Sequence, residues 1–409
     1  MNFIKKHFSM YSGLPKEVYI LSFGRIMTSM GALIWPMLTL IMRNKLGMSA
    51  SDIGLYMMII SIIMVPCSLL GGKLADKYNK KHIIVGFDLI SNSLYILCAI
   101  FEISTITLVL MTIASILQFM ESPSFDALLV DLTPFEKRER AYSLMYFAMN
   151  LGLVLAPTIG GILFNSHLNL AFLINGLCDL SSTLLILFFI KNIKHNEKET
   201  IVNEYENAQE GSILKVLLSH KSLIIFFIIS AIGSMLYAQF NFLVPLHLDS
   251  VYMADGAFKF GILTSVNALV VVIGTPIITK EFENLADTKL MFIGQALEII
   301  GLVSFAFLNH YIVAILAVII LTIGEIFKAI SSNPHFSKRI PLSHRGRMLG
   351  LLNIFVSLVG TIFNYIVGIL IDTYSFNIVW MIMAIIGTIL LLIFVRYIKL
   401  DKKAYSKLY

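Results

Sequence analysis

The chain consists largely of apolar runs of about twenty residues, a length that crosses the hydrocarbon core of a bilayer. Ile53–Leu70 carries no charge, and Ile83–Ile103 is interrupted mainly by Asp88. With 57% hydrophobic and 14% charged residues, the 409-residue chain lies outside the range of soluble domains. Its mean hydropathy is +0.84. These observations predict an all-α polytopic membrane protein.

Roughly twelve spans are predicted, in two sets of six. A polar stretch at residues 191–221 separates an N-terminal six-helix bundle (1–190) from a C-terminal one (222–409) and is expected to be a cytoplasmic linker. Within it, Ile213–Leu218 is expected to form a short interfacial helix. The expected spans are Val18–Met42, Ile53–Leu70, Ile83–Ile103, Ile106–Leu128, Ala141–Phe164, Asn169–Ile190, Leu223–Leu246, Phe260–Ile278, Leu290–Leu308, Ile312–Ile330, Leu349–Ile371 and Asn377–Ile398.

Basic residues cluster in alternate loops, whereas the opposite side holds only Arg43, Lys45 and Lys259. The positive-inside rule then places both termini in the cytoplasm of a multi-pass plasma-membrane protein, and the first apolar run is long enough to stay as a span. Topology also explains the net charge of +6, so we expect no nucleic-acid partner.

Sites for metals, cofactors and nucleotides are not expected. All three cysteines lie in predicted spans, and no Cys/His cluster has the spacing of a metal site. A phosphate-binding glycine loop is also missing from the sequence, which argues against ATP as the energy source.

A charged island, Gly71–Lys81, separates the second and third spans. Its two glycines predict a close turn, and Asn79 is expected to take a left-handed conformation where the chain reverses. The island resembles the loop signature of the major facilitator superfamily, with Asn79 in place of the usual glycine. This resemblance implies a gating charge cluster with the end of the fourth span. The expected members are Gly72, Asp76, Lys77, Lys80, Lys81 and Asp131.

The fifth span places small residues at helical spacing around a mid-span proline, from Asn150 to Gly161. It resembles the antiporter signature of proton-coupled drug exporters in the superfamily, with Ala156 replacing a glycine. A bent helix that seals one face is implied, through Gly152, Pro157, Gly160 and Gly161. Ordinary close packing of membrane helices explains the same pattern.

Arg25 and Glu121 are charged residues within predicted spans, where each charge costs about 2.5 kcal/mol or more and requires a partner or a role. Both lie in the cytoplasmic half, so a pair is geometrically possible. The fourth span keeps Gln118 of an exporter signature but lacks its arginine, and Arg25 is expected to supply that cation.

Glu325 is the preferred proton carrier, because burial favours the neutral form of a carboxyl group. Lys328 follows it by one helical turn and is expected to pair with it. Static salt bridges explain either charged pair equally well. Glu298 and Asp179 lie on spans that are peripheral in the fold and are expected to be structural.

Gly324-Glu325-Ile326, Gln239-Phe240-Asn241 and Pro245–Leu248 resemble the LmrP type of multidrug transporter, although Asn241 and Met145 stand where that type has carboxylates. The resemblance implies alternating-access, proton-coupled efflux of lipophilic drugs or toxic compounds, cations among them. Substrate contacts are expected from Trp35, Met30, Tyr237, Phe240, Asn241 and Asn353, and from Asn364. Any one of these is equally explained as a packing residue.

The expected partners are a small-molecule substrate, protons and membrane lipid, and we expect a monomer. Another cargo, such as a sugar, an organic acid or a lipid-linked substrate, fits the same fold and is distinguished by substrate profile. An integral membrane enzyme requires a nucleophile with a paired base, or a metal site, and the scattered histidines provide neither. A non-transporting scaffold does not require so many intramembrane carboxylates.

Overall fold

The computed structural model describes residues 11–134, 137–191, 221–282, 284–308, 310–340 and 345–406. In these ranges every regular element is a helix. The longer ones are α1 (Lys16–Gly31), α2 (Ala50–Lys77), α3 (Lys80–Cys98), α4 (Thr105–Leu132), α5a (Arg138–Leu153), α5b (Ala156–Leu163), α6 (Leu168–Phe189), α7a (Lys221–Tyr237), α7b (Gln239–Tyr252), α8 (Gly256–Glu281), α9 (Asp287–Ser304), α10 (Tyr311–Ser337), α11 (Arg345–Thr373) and α12 (Phe376–Ala404).

Ten apolar helical segments in the described part of the chain are long enough to cross a membrane. One of them, Ser222–Glu281, extends over 60 residues, which is sufficient for two crossings. Helix α3, with Asp88 in its middle and lysines at its start, is not among the ten. The predicted polytopic all-α architecture is therefore confirmed, whereas the count of twelve spans stays a prediction.

Helix α1 is shorter than expected. The expected first span, Val18–Met42, lies within the apolar segment Lys16–Lys45, which is long enough to cross a membrane. Its helix is interrupted, however, since α1 ends at Gly31 and is followed by a short 3₁₀ turn at Trp35–Met37 and a π-helical turn at Ile41–Lys45. Pro36 contributes to this interruption because it has no backbone N–H to donate. The fourth span ends as expected, with α4 closing just before Pro134.

The reversal between α2 and α3 differs from the expected glycine turn. Helix α2 continues through Gly71 and Gly72 to Lys77, so the predicted turn at the glycines is wrong. Gly71 instead lets α2 approach α4, because a Cβ there would lie 2.2 Å from the carbonyl oxygen of Met120. Asn79 is extended rather than left-handed (φ −64°, ψ 118°), and its side chain caps α3 by accepting a hydrogen bond from the Lys81 N–H (3.0 Å).

Two compact units are present. One comprises the described residues of Met1–Met48, Ile62–Glu197 and Leu248–Val272, and the other those of Ser49–Ser61, Lys198–His247 and Ile273–Tyr409. Helices α2 and α8 therefore each contribute to both units. The predicted boundaries at 190 and 222 stay a prediction, and the expected interfacial helix Ile213–Leu218 lies outside the described residues.

The same packing pattern occurs in each unit. In the first unit, α1 packs on α5a and α6, and α3 packs on α4 and α6. In the second, α7a packs on α11 and α12, and α9 packs on α10 and α12. The pattern recurs after a shift of six helices, which indicates two structural repeats.

Candidate functional site

A cavity of about 310 Å³ lies among α7a, α9, α10 and α11 of the second unit. Apolar walls with a few polar groups in such a volume are typical of a small-molecule site. The lining residues include Phe226, Ser230, Ser234, Tyr237, Glu298, Glu325, Lys328, Asn333, Leu352, Asn353 and Val356.

Glu325 on α10 is held by a residue from another helix. The hydroxyl of Tyr237, the last residue of α7a, donates a hydrogen bond to Oε2 of Glu325 at 2.8 Å. Hydrogen bonds to an ionised acceptor are stronger than neutral ones, so this bond fixes the direction of the carboxylate. The expected proton carrier and one expected substrate contact therefore lie side by side in the cavity.

The ammonium of Lys328 pairs with Glu298 on α9, with Nζ 2.5 Å from Oε2. The amide of Gln295 also donates to that oxygen, at 3.3 Å. The acidic partner that the structure shows for Lys328 thus comes from a neighbouring helix, and the expected pairing of Lys328 with Glu325 stays a prediction. Glu298, which was expected to be peripheral, lines the cavity.

Glycines bring α9 and α10 close enough for this ion pair. A Cβ on Gly294 would lie 2.7 Å from the carbonyl oxygen of Gly324, and a Cβ on Gly324 would lie 2.5 Å from that of Gly294. Each glycine precedes a charged residue by four positions, Glu298 on α9 and Lys328 on α10. This matched spacing is a sequence signal for the pair, and our sequence analysis missed it.

Arg25 and Glu121 lie within electrostatic range of each other in the first unit, on α1 and α4. The guanidinium of Arg25 contacts Sδ of Met149 on α5a at 3.5 Å. Among the described residues no direct salt bridge joins Arg25 to Glu121. Arg25 and Glu121 therefore interact electrostatically at a distance and do not form a direct contact.

The expected gating residues join the start of α3 to the ends of two other helices. Lys80 forms an ion pair with Asp131 on α4. Lys81 donates to the carbonyl oxygen of Ile190, at the end of α6, at 2.7 Å. Asp76 and Lys77 are exposed on the last turn of α2. A role of this cluster in gating stays a prediction.

The predicted antiporter helix is bent, as the proline indicated, with α5a ending at Leu153 and α5b starting at Ala156. Its glycines face other backbones. A Cβ on Gly152 would lie 2.5 Å from Cβ of Ser29, and one on Gly160 would lie 2.5 Å from the carbonyl oxygen of Leu33. Gly161 faces the start of α8, where a Cβ on it would lie 2.7 Å from the carbonyl oxygen of Ala257. Close packing is therefore the observed use of the small residues.

The remaining expected substrate contacts have different surroundings. Met30 and Trp35 are 44% and 46% exposed, and Asn241 is also exposed. Phe240 is buried and packs near Phe305, with ring centroids 6.1 Å apart. The buried Asn364 accepts a hydrogen bond from Gln239 at 2.9 Å. The geometry favours packing roles for Phe240 and Asn364.

A buried ion pair at the end of α10 and α12 was missed by the sequence analysis. Nη2 of Arg339 lies 2.7 Å from Oδ2 of Asp401, and the Tyr397 hydroxyl donates to Oδ1 of Asp401 at 3.2 Å. The signal was the spacing of Tyr397 and Asp401, four residues apart on one face of α12.

A family model described as Major Facilitator Superfamily matches residues 20–363 and, a second time, 260–408. The chain belongs to the major facilitator superfamily. Membership in this superfamily makes it a multi-pass membrane transporter rather than an enzyme.

Three relatives align with between half and nearly nine-tenths of the chain. An uncharacterised MFS-type transporter, YttB of Bacillus subtilis (strain 168), is 26% identical over 375 residues, which cover 88% of this chain and 90% of YttB. A Na⁺, Li⁺, K⁺/H⁺ antiporter of Planococcus maritimus is 21% identical, with 77% and 80% covered. Quinolone resistance protein NorA of Staphylococcus aureus is 27% identical, with 50% and 51% covered.

Solved structures support the major facilitator fold. A POT family transporter in complex with a thioalcohol-conjugated peptide superposes with a TM-score of 0.79 at 13% identity, covering 96% of this chain and 99% of that one. At this identity the likeness concerns the fold alone.

Proposed function

We propose that the protein is a proton-coupled antiporter that exports lipophilic drugs or toxic compounds, cations among them, across the plasma membrane by alternating access. The observation that carries this proposal is the Glu325 carboxylate, which Tyr237 holds beside the cavity of the second unit. Two relatives support it by their names, one as a quinolone resistance protein and one as a cation/proton antiporter.

The charges of the cavity assign different roles to its acidic residues. Glu298 is neutralised by Lys328, so the pair carries no net charge. Glu325 then supplies the one net negative charge of this group when it is ionised. A cationic substrate binds against the ionised carboxylate, and protonation of Glu325 removes that attraction and releases the substrate.

Efflux in inverted membrane vesicles with an imposed pH gradient tests the role of Glu325. We expect the native protein to accumulate a lipophilic cationic dye only with the gradient, and Glu325→Gln to lose at least about tenfold of the initial rate while it still binds the dye. That loss corresponds to about 1.4 kcal/mol of coupling. Glu281→Gln, an exposed glutamate at the end of α8, is the matched control and should retain the native rate.

Two results contradict the proposal. If Glu325→Gln moves dye at the native rate, Glu325 is not the coupling residue. If a folded, inserted native protein moves no dye, drug export is wrong, and a dedicated metabolite or lipid-linked cargo becomes the better hypothesis.

A further inference from the structure

The start of α2 receives part of its cap from a distant helix of the second unit. Asp372, on the last turn of α11, accepts two backbone hydrogen bonds, from the Ala50 N–H to Oδ1 at 3.1 Å and from the Ser51 N–H to Oδ2 at 2.8 Å. A carboxylate stabilises a helix start because the first N–H groups have no partner within the helix and lie at the positive end of its dipole. Asp372 therefore ties the end of α11 to the start of α2.

Glycines bring the two backbones together directly below this cap. A Cβ on Gly54, in the first part of α2, would lie 2.7 Å from the carbonyl oxygen of Asn364 on α11. A Cβ on Gly368 of α11 would overlap the carbonyl oxygen of Ala50. Met57 continues the contact about one turn deeper, where its Sδ lies 3.9 Å from Nδ2 of Asn364. The contact thus extends over about the first two turns of α2.

The equivalent helices in the first unit make a similar contact with a different closing interaction. After a shift of six helices, α11 and α2 correspond to the fifth and eighth helices. A Cβ on Gly261 of α8 would overlap the carbonyl oxygen of Pro157 on α5b. The hydroxyls of Thr158 and Ser265 are hydrogen-bonded there at 2.7 Å. The glycine contact therefore recurs in both repeats, with two neutral hydroxyls in one and a carboxylate in the other.

The hydrogen bonds of Asp372 are of a kind that breaks at a small cost. Asp372 is exposed, so water replaces its donors when the two helices separate. The Arg339–Asp401 pair is different, because its side chains are 3% and 0% exposed and breaking it leaves buried charges. Helix α2 also has a cap of its own, since the Asp52 N–H donates to the Ser49 hydroxyl oxygen at 3.1 Å. Asp372 therefore serves the connection of the two helices more than the formation of α2.

We propose that Asp372 is a latch residue, which holds the start of α2 against the end of α11 and releases it when these helices separate to open this end of the protein. The positive-inside rule assigns this end to the outer side of the membrane, because it lies opposite the basic loops. The proposal rests on the alternating access of the proposed function, but not on its cargo or on Glu325.

Cysteine labelling in intact cells measures the separation of α2 from α11. Met57→Cys places a thiol against α11, and its rate of reaction with a membrane-impermeant maleimide reports access from outside. The protein without this substitution gives the background of the three native cysteines. Asp372→Asn keeps the size of the side chain and removes its charge, so we expect the rate constant to rise roughly threefold to tenfold. Asp372→Glu keeps the charge and should label more slowly than Asp372→Asn.

Matched controls separate the latch from a general effect of charge at this end of the protein. Asp255→Asn removes the charge of an exposed aspartate directly before α8 and should leave the rate unchanged. The proposal is wrong if Asp372→Asn labels at the native rate, or if Asp255→Asn raises the rate as much. Since labelling requires neither substrate nor pH gradient, failure of the latch is distinguishable from failure of drug export.

A second variant forces the helices apart without changing a charge. Gly368→Ala should also raise the rate constant, because the new methyl group overlaps the Ala50 carbonyl oxygen. Gly360→Ala, on the same helix, places its Cβ where nothing lies within 4 Å and should not raise it. Equal labelling of these two variants contradicts the proposed contact. Because Asp372 is exposed, Asp372→Asn remains informative if Gly368→Ala does not fold.

Discussion

The Glu325 carboxylate accepts a hydrogen bond from a tyrosine on another helix. Tyr237 ends α7a, directly before the interruption at Ala238, and its hydroxyl reaches across to α10. The donor and the carboxylate thus belong to two different helices, α7a and α10. The hydrogen bond therefore links the direction of the Glu325 carboxylate to the position of the end of α7a.

Removing the Tyr237 hydroxyl measures its contribution to the rate of dye efflux. We expect Tyr237→Phe to slow gradient-driven dye efflux roughly tenfold, because a hydrogen bond to a charged group contributes about 1.5–3 kcal/mol. The measurement is the initial rate in vesicles, with Tyr374→Phe as the control, since Tyr374 is 53% exposed. An unchanged rate in Tyr237→Phe contradicts the positioning role.

At this scale the sequence indicated single residues better than their partners. A glutamate within an apolar run is conspicuous, so Glu325 could be selected without a structure. The partner of Lys328 could not, because helical spacing offers only neighbours on the same helix. The actual partner, Glu298, depends on which helices pack together.

At the scale of helices, a glycine marks close packing only where it faces the backbone of another helix. Gly152 on α5a faces α1, whereas a Cβ on Gly86 of α3 meets nothing within 4 Å. Both residues are helical and both precede apolar positions, so sequence alone does not separate them. The bend between α5a and α5b was predictable because proline has a local effect. Pro36 gives the same signal after α1, but the sequence did not show that the helix already ends at Gly31, five residues earlier.

The same substitution at these two glycines should have different effects on the free energy of unfolding. Gly152→Ala should lower the free energy of unfolding by about 1–3 kcal/mol, because the new methyl group overlaps Ser29. Gly86→Ala should leave it unchanged or raise it by about 0.5–1 kcal/mol, because alanine favours the helix. Thermal unfolding in detergent measures both, and equal effects would refute the packing role of Gly152.

Across the molecule, the two repeats use ion pairs of opposite polarity at equivalent helix ends. In the first unit Lys80, at the start of α3, pairs with Asp131 at the end of α4. In the second unit Asp287, at the start of α9, pairs with Lys338 directly after α10, with Nζ 3.1 Å from Oδ2. The packing is repeated while the charges are reversed.

The difference in burial predicts that the two ion pairs contribute differently to the free energy of unfolding. The side chains of Lys80 and Asp131 are 18% and 5% exposed, against 47% and 25% for Lys338 and Asp287. Asp131→Asn should therefore lower stability by about 1.5–3 kcal/mol, and Asp287→Asn by less than about 1 kcal/mol. Thermal unfolding compares them, and a larger loss in Asp287→Asn would contradict this order.

The shared membership of α2 and α8 has a consequence for how such chains are recombined. The start of α2 belongs with the second unit, and the segment Leu248–Val272, which includes most of α8, belongs with the first. A chimaera joined at the polar linker would give each unit one segment that comes from the other parent chain. Gene fusion at that linker, the natural choice from hydropathy, is therefore a poor junction. A better design moves Ser49–Ser61 together with the second unit and Leu248–Val272 together with the first.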